Sequence, residues 1–228
     1  MFFIGVAGQA QNGKDTLADR LCLKLNEKGS NWTRSAFAKS VKNVFSETFN
    51  VDLDFIEKWK TIQEPPPGFD KNVRQSLQFI GDGFRQIMPS IWVELAFRNV
   101  SKSTIFSDVR YKNEFTRIKE EGGLNIIVAR PDKINNDPND SEAQIKPYVN
   151  WLLNNFCSSK DYTDIVVNLR NVYWEEIFVV SKQPPPDGID LFDLFVCNCG
   201  DLESFHNAID DHVVPFCENF VFDQTFLK

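Results

Sequence analysis

Apolar positions along the first 130 residues alternate between two spacings. Phe2-Phe3-Ile4-Gly5-Val6-Ala7 is a short β-prone run that passes through a Gly-bearing turn into Thr16 to Leu25, where Leu17, Leu21 and Leu25 recur every fourth residue. A strand leading directly into a helix accounts for both. The same reading predicts a strand around Ser35-Ala36-Phe37-Ala38 and a helix from about Ser40 to Phe49. Pro65-Pro66-Pro67-Gly68 then breaks the chain, and helices resume over Lys71 to Ile87 and Ile91 to Val100. Thr104 to Ser107 reads as a buried strand, Asn113 to Glu121 as a helix closed by Gly122-Gly123, and Leu124 to Ala129 as another strand. Strands alternating with helices predict a parallel sheet flanked by helices.

Beyond Ala129 the pattern weakens. Pro131 to Pro138 is polar and rich in Pro, Asp and Asn, which predicts a mobile loop. Asp164 to Leu169 reads as a strand and Gln183 to Gly188 as a break. Leu194-Phe195-Val196 reads as a final strand, followed by a helix from about Asp201 that this Asp caps.

Charge narrows the partners. The formal net charge of −7 argues against a protein that coats long nucleic acid, which needs a basic surface. The charge is unevenly placed: residues 1 to 130 carry 19 Lys/Arg against 15 Asp/Glu, and residues 131 to 228 carry 6 against 17. A mildly basic front half suits a small polyanion. No apolar run approaches the roughly 18 residues of a membrane span, and the opening segment lacks the basic leader of a signal peptide. Five cysteines, odd in number and irregularly spaced, fit reduced thiols in a cytoplasm better than a disulfide framework.

The first turn carries the clearest chemistry. Gly8-Gln9-Ala10-Gln11-Asn12-Gly13-Lys14 has the spacing of a phosphate-binding loop, with a strand before it and a helix after it. Glycines let backbone amides converge on phosphate oxygens, the helix N-terminus adds its dipole, and Lys14 reaches the outer phosphates. ATP-binding candidates are therefore Gly8, Asn12, Gly13, Lys14, Asp15 and Thr16. Asp15 stands where the common motif has Ser or Thr to touch magnesium. It could supply a carboxylate directly or through water, Thr16 could supply the displaced hydroxyl, or Asp15 could simply stabilise the first helical turn. Asp108, at the end of an apolar strand, is a third candidate for metal-water or acceptor contacts, because strand C-termini line the ligand crevice of open α/β sheets; a turn or cap role competes. Arg74, Arg85, Arg110 and Arg130 flank the expected crevice, and two phosphorylated reactants need such fixed cations.

In four segments that hold these residues, the chain resembles the bacteriophage-type deoxynucleoside monophosphate kinases, small P-loop kinases. The resemblance rests on Gly13-Lys14-Asp15-Thr16, on Phe37-Ala38-Lys39-Ser40-Val41-Lys42, and on Arg74 to Gly81 with Arg85 and Ile91-Trp92-Val93. It rests also on Ser107 to Glu114 with Gly122-Gly123 and Val128 to Pro131. Asp140-Ser141-Glu142 and Phe192 to Glu203 fit its later parts. The resemblance implies an α/β P-loop kinase fold as a single domain over residues 1–228, with its core in 1–145 and about 191–228. An acceptor-binding helical region would span about 50–101 and a lid about 130–142, with an expansion over about 146–190. It implies phosphoryl transfer from ATP to a deoxynucleoside monophosphate with Mg2+, in a cytoplasm, the host's for a protein of phage origin.

By position, the resemblance makes Arg74, Gln78, Trp92, Asp108, Arg110 and Glu114 acceptor-binding, and Lys14, Arg85, Arg110 and Arg130 catalytic. Without it Gln78 would read as a solvated helical residue and Trp92 as core. The expansion, with Trp151 and Trp174, offers extra packing or a subunit contact such as a homodimer. Cys197-x-Cys199 with His206, His212 and Cys217 has zinc-ligand chemistry but no recognised zinc spacing, and ordinary packing is the expected role. Two other readings stay open: a dephospho-coenzyme A kinase-like enzyme, and a nucleotide-binding regulatory protein without transfer activity.

Overall fold

The computed structural model describes residues 1–133, 140–157, 164–172 and 184–226, without side-chain detail for 140–142 and 222–226. The chain divides into two units, one formed by Met1–Ser35 with Ser101–Lys228 and the other by Ala36–Val100. The second unit therefore takes in the helix that precedes the 50–101 region read from sequence.

The first unit is built on a six-stranded sheet. In chain order the strands are β1 (Phe3–Ala7), β2 (Trp32–Ser35), β3 (Ser103–Val109), β4 (Leu124–Ala129), β5 (Ile165–Asn168) and β6 (Leu194–Cys197). Their spatial order is β2-β3-β1-β4-β6-β5. All pairings are parallel except that of β5 with β6, which is antiparallel. A parallel sheet closed by one antiparallel edge strand is a common α/β arrangement. β1 lies between β3 and β4, where the winding of the chain reverses, so the C-terminal end of β1 opens at a topological switch point.

Alternation along the strands feeds both faces. Ile4, Val6, Leu124, Ile126, Val128, Leu194 and Val196 pack with Leu17, Leu21 and Leu25 of α1 (Lys14–Glu27) in one fully buried cluster. Phe205 of α8 (Leu202–Ala208), a π-helical turn at Ile209–Val213 and α9 (Val214–Phe226) complete that face. The opposite face carries α6 (Lys112–Glu120) and α7 (Asp140–Phe156), with Phe115 and Tyr148 against Phe192. Asn125 is buried between β4 and α6, where its amide nitrogen donates to the carbonyls of Phe115 and Leu191. At the foot of β6, Asp193 accepts from Lys119 Nζ at 2.7 Å, Arg170 Nε at 3.1 Å and the Asn125 amide at 2.8 Å.

The second unit is helical: α2 (Ala38–Phe49), α3 (Leu53–Trp59), α4 (Val73–Ile87) and α5 (Ile91–Arg98). Phe45, Ile56 and Val73 form its buried centre. α4 begins with a capping box, in which Asn72 Oδ1 accepts from the Gln75 amide at 2.8 Å and Gln75 reaches back to the Asn72 amide.

β2 lies three residues earlier than the strand read around Ser35 to Ala38. Phe37 has helical backbone angles and Ala38 opens α2. The apolar pair Phe37-Ala38 begins a helix face there, whereas on the edge strand β2 only Trp32 is buried. The lid region lies in large part outside the described residues; of it, Pro131–Lys133 is a 3-10 turn and Asp140 opens α7. In the expansion, the second half of α7 and β5 are described, and Trp174 lies outside the described residues. Among the described residues no helix is long and apolar enough to cross a membrane.

Candidate functional site

The turn between β1 and α1 has backbone angles that its sequence was chosen to permit. Gly8 has φ +147°, Gln11 +63° and Gly13 +97°. Gly8 also allows a close approach, because a Cβ there would overlap the carbonyl oxygen of Val128 in β4. A Cβ on Gly13 would stand 2.7 Å from Asn198 Nδ2 and 3.1 Å from the Phe205 ring. Gly13 caps α1 without a side-chain oxygen, so the first-turn amides of α1 have no side-chain cap.

Asn12 is fully buried inside this turn. Its amide nitrogen donates to the Lys133 carbonyl at 3.1 Å, while its Oδ1 has no hydrogen-bond partner among the described residues. Asn198 Nδ2 donates to the Asn12 carbonyl at 3.3 Å, tying the end of β6 to the turn. Lys14 is buried, and its ammonium folds back to donate to the Gln9 carbonyl at 2.6 Å.

The turn opens onto a cavity of about 300 Å³ lined by Gln11, Gly13, Lys14, Asp15, Thr16, Arg130, Asn198, Gly200, Asp201, Leu202 and Phe205. That size lies at the small end of ligand pockets. Five residues singled out from sequence thus meet here: Gly13, Lys14, Asp15, Thr16 and Arg130. Gly8 and Asn12 shape the turn behind them. Arg130, at the end of β4, has its Nε donating to Asp132 at 2.8 Å.

Sequence reading missed the far wall as a site. Asn198 to Leu202 follows β6, and Asp201 caps α8 by accepting from the Ser204 amide at 2.8 Å. The signal is present in Asn198-Cys199-Gly200-Asp201, a strand-end turn ahead of a helix, which the sequence supports as a cap and as part of the family resemblance but not as a wall of the site. Arg34 was also missed. From β2 it pairs with Asp15, with Asp19 at 2.7 Å and with Ser107 Oγ at 3.0 Å. Asp15 therefore has its carboxylate committed to Arg34, although the residue borders the cavity.

Asp108 lies near the C-terminal end of β3, where Gly5 pairs with Phe106 but Ala7 pairs with Val109. Ser107 and Asp108 together oppose Val6, which is a β-bulge, a device that re-aims side chains at the ends of strands. Glu114 is buried and accepts from the backbone amides of Arg110 and Tyr111 at 2.8 and 3.1 Å, so it fixes the start of α6.

The remaining predicted residues belong to the second unit. Arg74, Gln78 and Arg85 fall on one stripe of α4, at spacings of four and seven. Arg74 is exposed and Gln78 half-buried. Arg85 pairs with Asp82 at 3.2 Å. Trp92 is buried against Phe84, and its indole donates to the Gly81 carbonyl at 2.9 Å.

The cysteines and histidines of the weighed zinc set are not gathered as a group. Cys217 is fully buried in the sheet core, where desolvation drives its thiol far up from the ordinary value. Cys22, Cys199 and Cys217 are free thiols, whereas the sulfurs of Cys157 and Cys197 are in disulfide contact, which departs from the fully reduced set expected from sequence.

The fold and turn together define a mostly parallel α/β protein with a strand–glycine turn–helix at its switch point and a polar cavity beside it. The chain is 29% identical over 193 residues to the protein of Acanthamoeba polyphaga mimivirus named "Putative deoxynucleotide monophosphate kinase", covering 75% of this chain and 97% of that protein. No protein-family model matches the chain.

Proposed function

We propose that the chain is a nucleotide phosphotransferase that moves the terminal phosphoryl group of ATP to a deoxynucleoside 5′-monophosphate. The observation that carries this reading is the turn 8–14: two glycines at positive φ, a buried Asn12 and a buried Lys14, opening on a cavity shared with Arg130. Uncapped amides of α1 and the Lys14 ammonium suit the phosphates of a nucleotide. The similarity to the mimivirus protein, across nearly its whole length, supports a kinase in particular.

The chemistry needs no base from the protein. A phosphate monoester has its second pKa near about 6, so the acceptor is already largely dianionic at neutral pH. One of its oxygens attacks the terminal phosphorus of ATP, the bond to the bridging oxygen breaks, and ADP leaves with that electron pair. The protein aligns the two reactants and offsets their charge. Lys14 and Arg130 do so on the donor side, Arg74 and Gln78 of α4 bind the acceptor, and Arg85 and Arg110 offset the charge of the group in transfer.

Oxygen donors that fit a magnesium ion are Thr16 and Asp15, which both border the cavity; Asp108, on the bulge of β3, would act through water. Asp15 would share its carboxylate between the ion and Arg34. Magnesium would supply neutralisation of phosphate charge.

The test is a screen of ribo- and deoxynucleoside monophosphates, with dephospho-coenzyme A as a further acceptor, reading ADP release with ATP and magnesium. Stimulation by one or more deoxynucleoside monophosphates is expected. Stimulation by dephospho-coenzyme A alone, or nucleotide binding without any acceptor-stimulated turnover, would replace this reading.

A further inference from the structure

A cluster of three sulfurs lies at the C-terminal end of β6, and the nucleotide reading makes no use of it. Cys197 closes the strand, Cys199 follows two residues later, and Cys157 comes from the end of α7, 40 residues earlier than Cys197. Their sulfurs all lie within 4.8 Å of one another. Cys197 and Cys199 are 3.1 Å apart, and Cys157 touches Cys197. Cys197 is fully buried, while Cys157 and Cys199 are half-buried.

The fold imposes this meeting. Phe195 and Cys197 share the face of β6 turned toward α7, where Phe156 packs on Phe195 with ring centres 6.1 Å apart. Asp164 then fixes the turn after the strand. Its carboxylate accepts from the amides of Cys199 and Gly200 at 2.7 and 3.0 Å and from Ser204 Oγ at 2.6 Å. Cys199 is thereby folded back onto the sulfurs that precede it.

A disulfide and a shared metal ion are the two chemistries that such a cluster can support. The Cα atoms of Cys157 and Cys197 are 7.1 Å apart, beyond the range of about 4.4 to 6.8 Å that disulfides usually span. A disulfide would also leave the third sulfur without a role. An ion bonded to each sulfur at about 2.3 Å would hold them roughly 3.8 Å apart in tetrahedral geometry, wider than the 3.1 Å between Cys197 and Cys199 and the contact of Cys157 with Cys197, so the three side chains would part by about 1 Å to admit it.

We propose that Cys157, Cys197 and Cys199 form a three-thiolate site for a borderline-soft divalent cation of the zinc class. Each thiol gives up its proton on binding, so one divalent ion and three thiols yield a complex of net charge −1 and three protons. The half-exposed side, at Cys157 and Cys199, leaves the fourth position to solvent. This ligand set differs from the one weighed from sequence: Cys157 joins Cys197 and Cys199, and His206, His212 and Cys217 take no part. The site backs the nucleotide cavity, because Asn198 stands between Cys197 and Cys199, Gly200 follows them, and both line that cavity.

The test is a titration of the full-length, fully reduced, metal-free protein with Co2+ alone, which requires no nucleotide and is independent of kinase activity. One equivalent is expected to bind with a near-ultraviolet sulfur-to-cobalt charge-transfer band, and one equivalent of Zn2+ should abolish that band. Cys157→Ser and Cys199→Ser should each weaken binding about 100-fold or more, since losing even a group that only orients a ligand costs about 10- to 100-fold. Cys22→Ser should bind as the wild type does. A wild-type protein with no charge-transfer band would overturn the proposal, as would a Cys199→Ser variant of unchanged affinity and spectrum. So would a Cys157–Cys197 disulfide that forms in air despite equimolar Zn2+.

Discussion

Gly8→Ala isolates what the turn after β1 demands of its backbone. Two separate penalties are expected. The first is conformational: a φ of +147° is open to glycine and strained for any other residue, at about 1 to 3 kcal/mol. The second is spatial. An alanine Cβ would overlap the Val128 carbonyl oxygen and stand 3.3 Å from its carbon, and both belong to strand backbone that cannot swing aside. Shifting that carbonyl, which faces the β1 side, strains the end of the β1–β4 pairing and adds about 1 kcal/mol for a weakened ladder bond. The sum is roughly 2 to 4 kcal/mol, or a fall in Tm of about 4 to 16 °C at about 2 to 4 °C per kcal/mol for a chain of this size. Gly29→Ala is the control, because Gly29 has φ +83° but nothing within 4 Å of a Cβ. It should lose only the left-handed penalty of about 1 to 2 kcal/mol. Urea unfolding followed by far-ultraviolet circular dichroism measures both. Equal losses in the two variants would refute the claim that close approach to β4 shapes this turn.

Three further outcomes are expected. Asp210 is held below the ordinary carboxyl value chiefly by its hydrogen bond from Arg20, with burial opposing and Lys24 and His206 assisting. A depressed folded value means that the stabilisation is fully present above the unfolded value and lost as pH falls through the folded one. The stability difference between wild type and Arg20→Gln should therefore be constant near neutrality and vanish on acidification below about pH 4, in urea titrations across that range; a difference that grows in acid would contradict the assignment. Asn72→Ala should destabilise by about 1 to 2 kcal/mol through loss of the α4 cap, read as a lower urea midpoint. Arg74→Ala should raise KM for the monophosphate by about 10- to 100-fold, the worth of a charge-assisted bond, with KM for ATP unmoved; equal changes in both would place Arg74 elsewhere.

What could be read from sequence was local. β1, α1 and β4 were announced by apolar spacing, and α6 by Gly122-Gly123, with Gly122 at φ +72°. The Asp201 cap needed only its own four residues. Long-range features escaped. α7 was hidden because Pro147 sits inside it, where proline ordinarily breaks a helix. The bulge at Ser107 and Asp108 depends on the register of β3 against β1, which no local pattern encodes. Arg34 became part of the site only because β2 lies beside β3 and reaches Asp15 on α1. Cys157 was unremarkable until α7 was seen to end at β6.

Five of the residues picked from sequence meet at the cavity, Lys14 among them. The account stands most directly on one comparison: ADP release from ATP and magnesium, with and without deoxynucleoside monophosphates, for the wild type and for Lys14→Met. The methionine keeps most of the buried aliphatic stem and removes the ammonium, so the fold should persist. The account predicts acceptor-stimulated turnover in the wild type and its loss by several orders of magnitude in Lys14→Met. Turnover that needs no acceptor, or that survives unchanged in the variant, would contradict it.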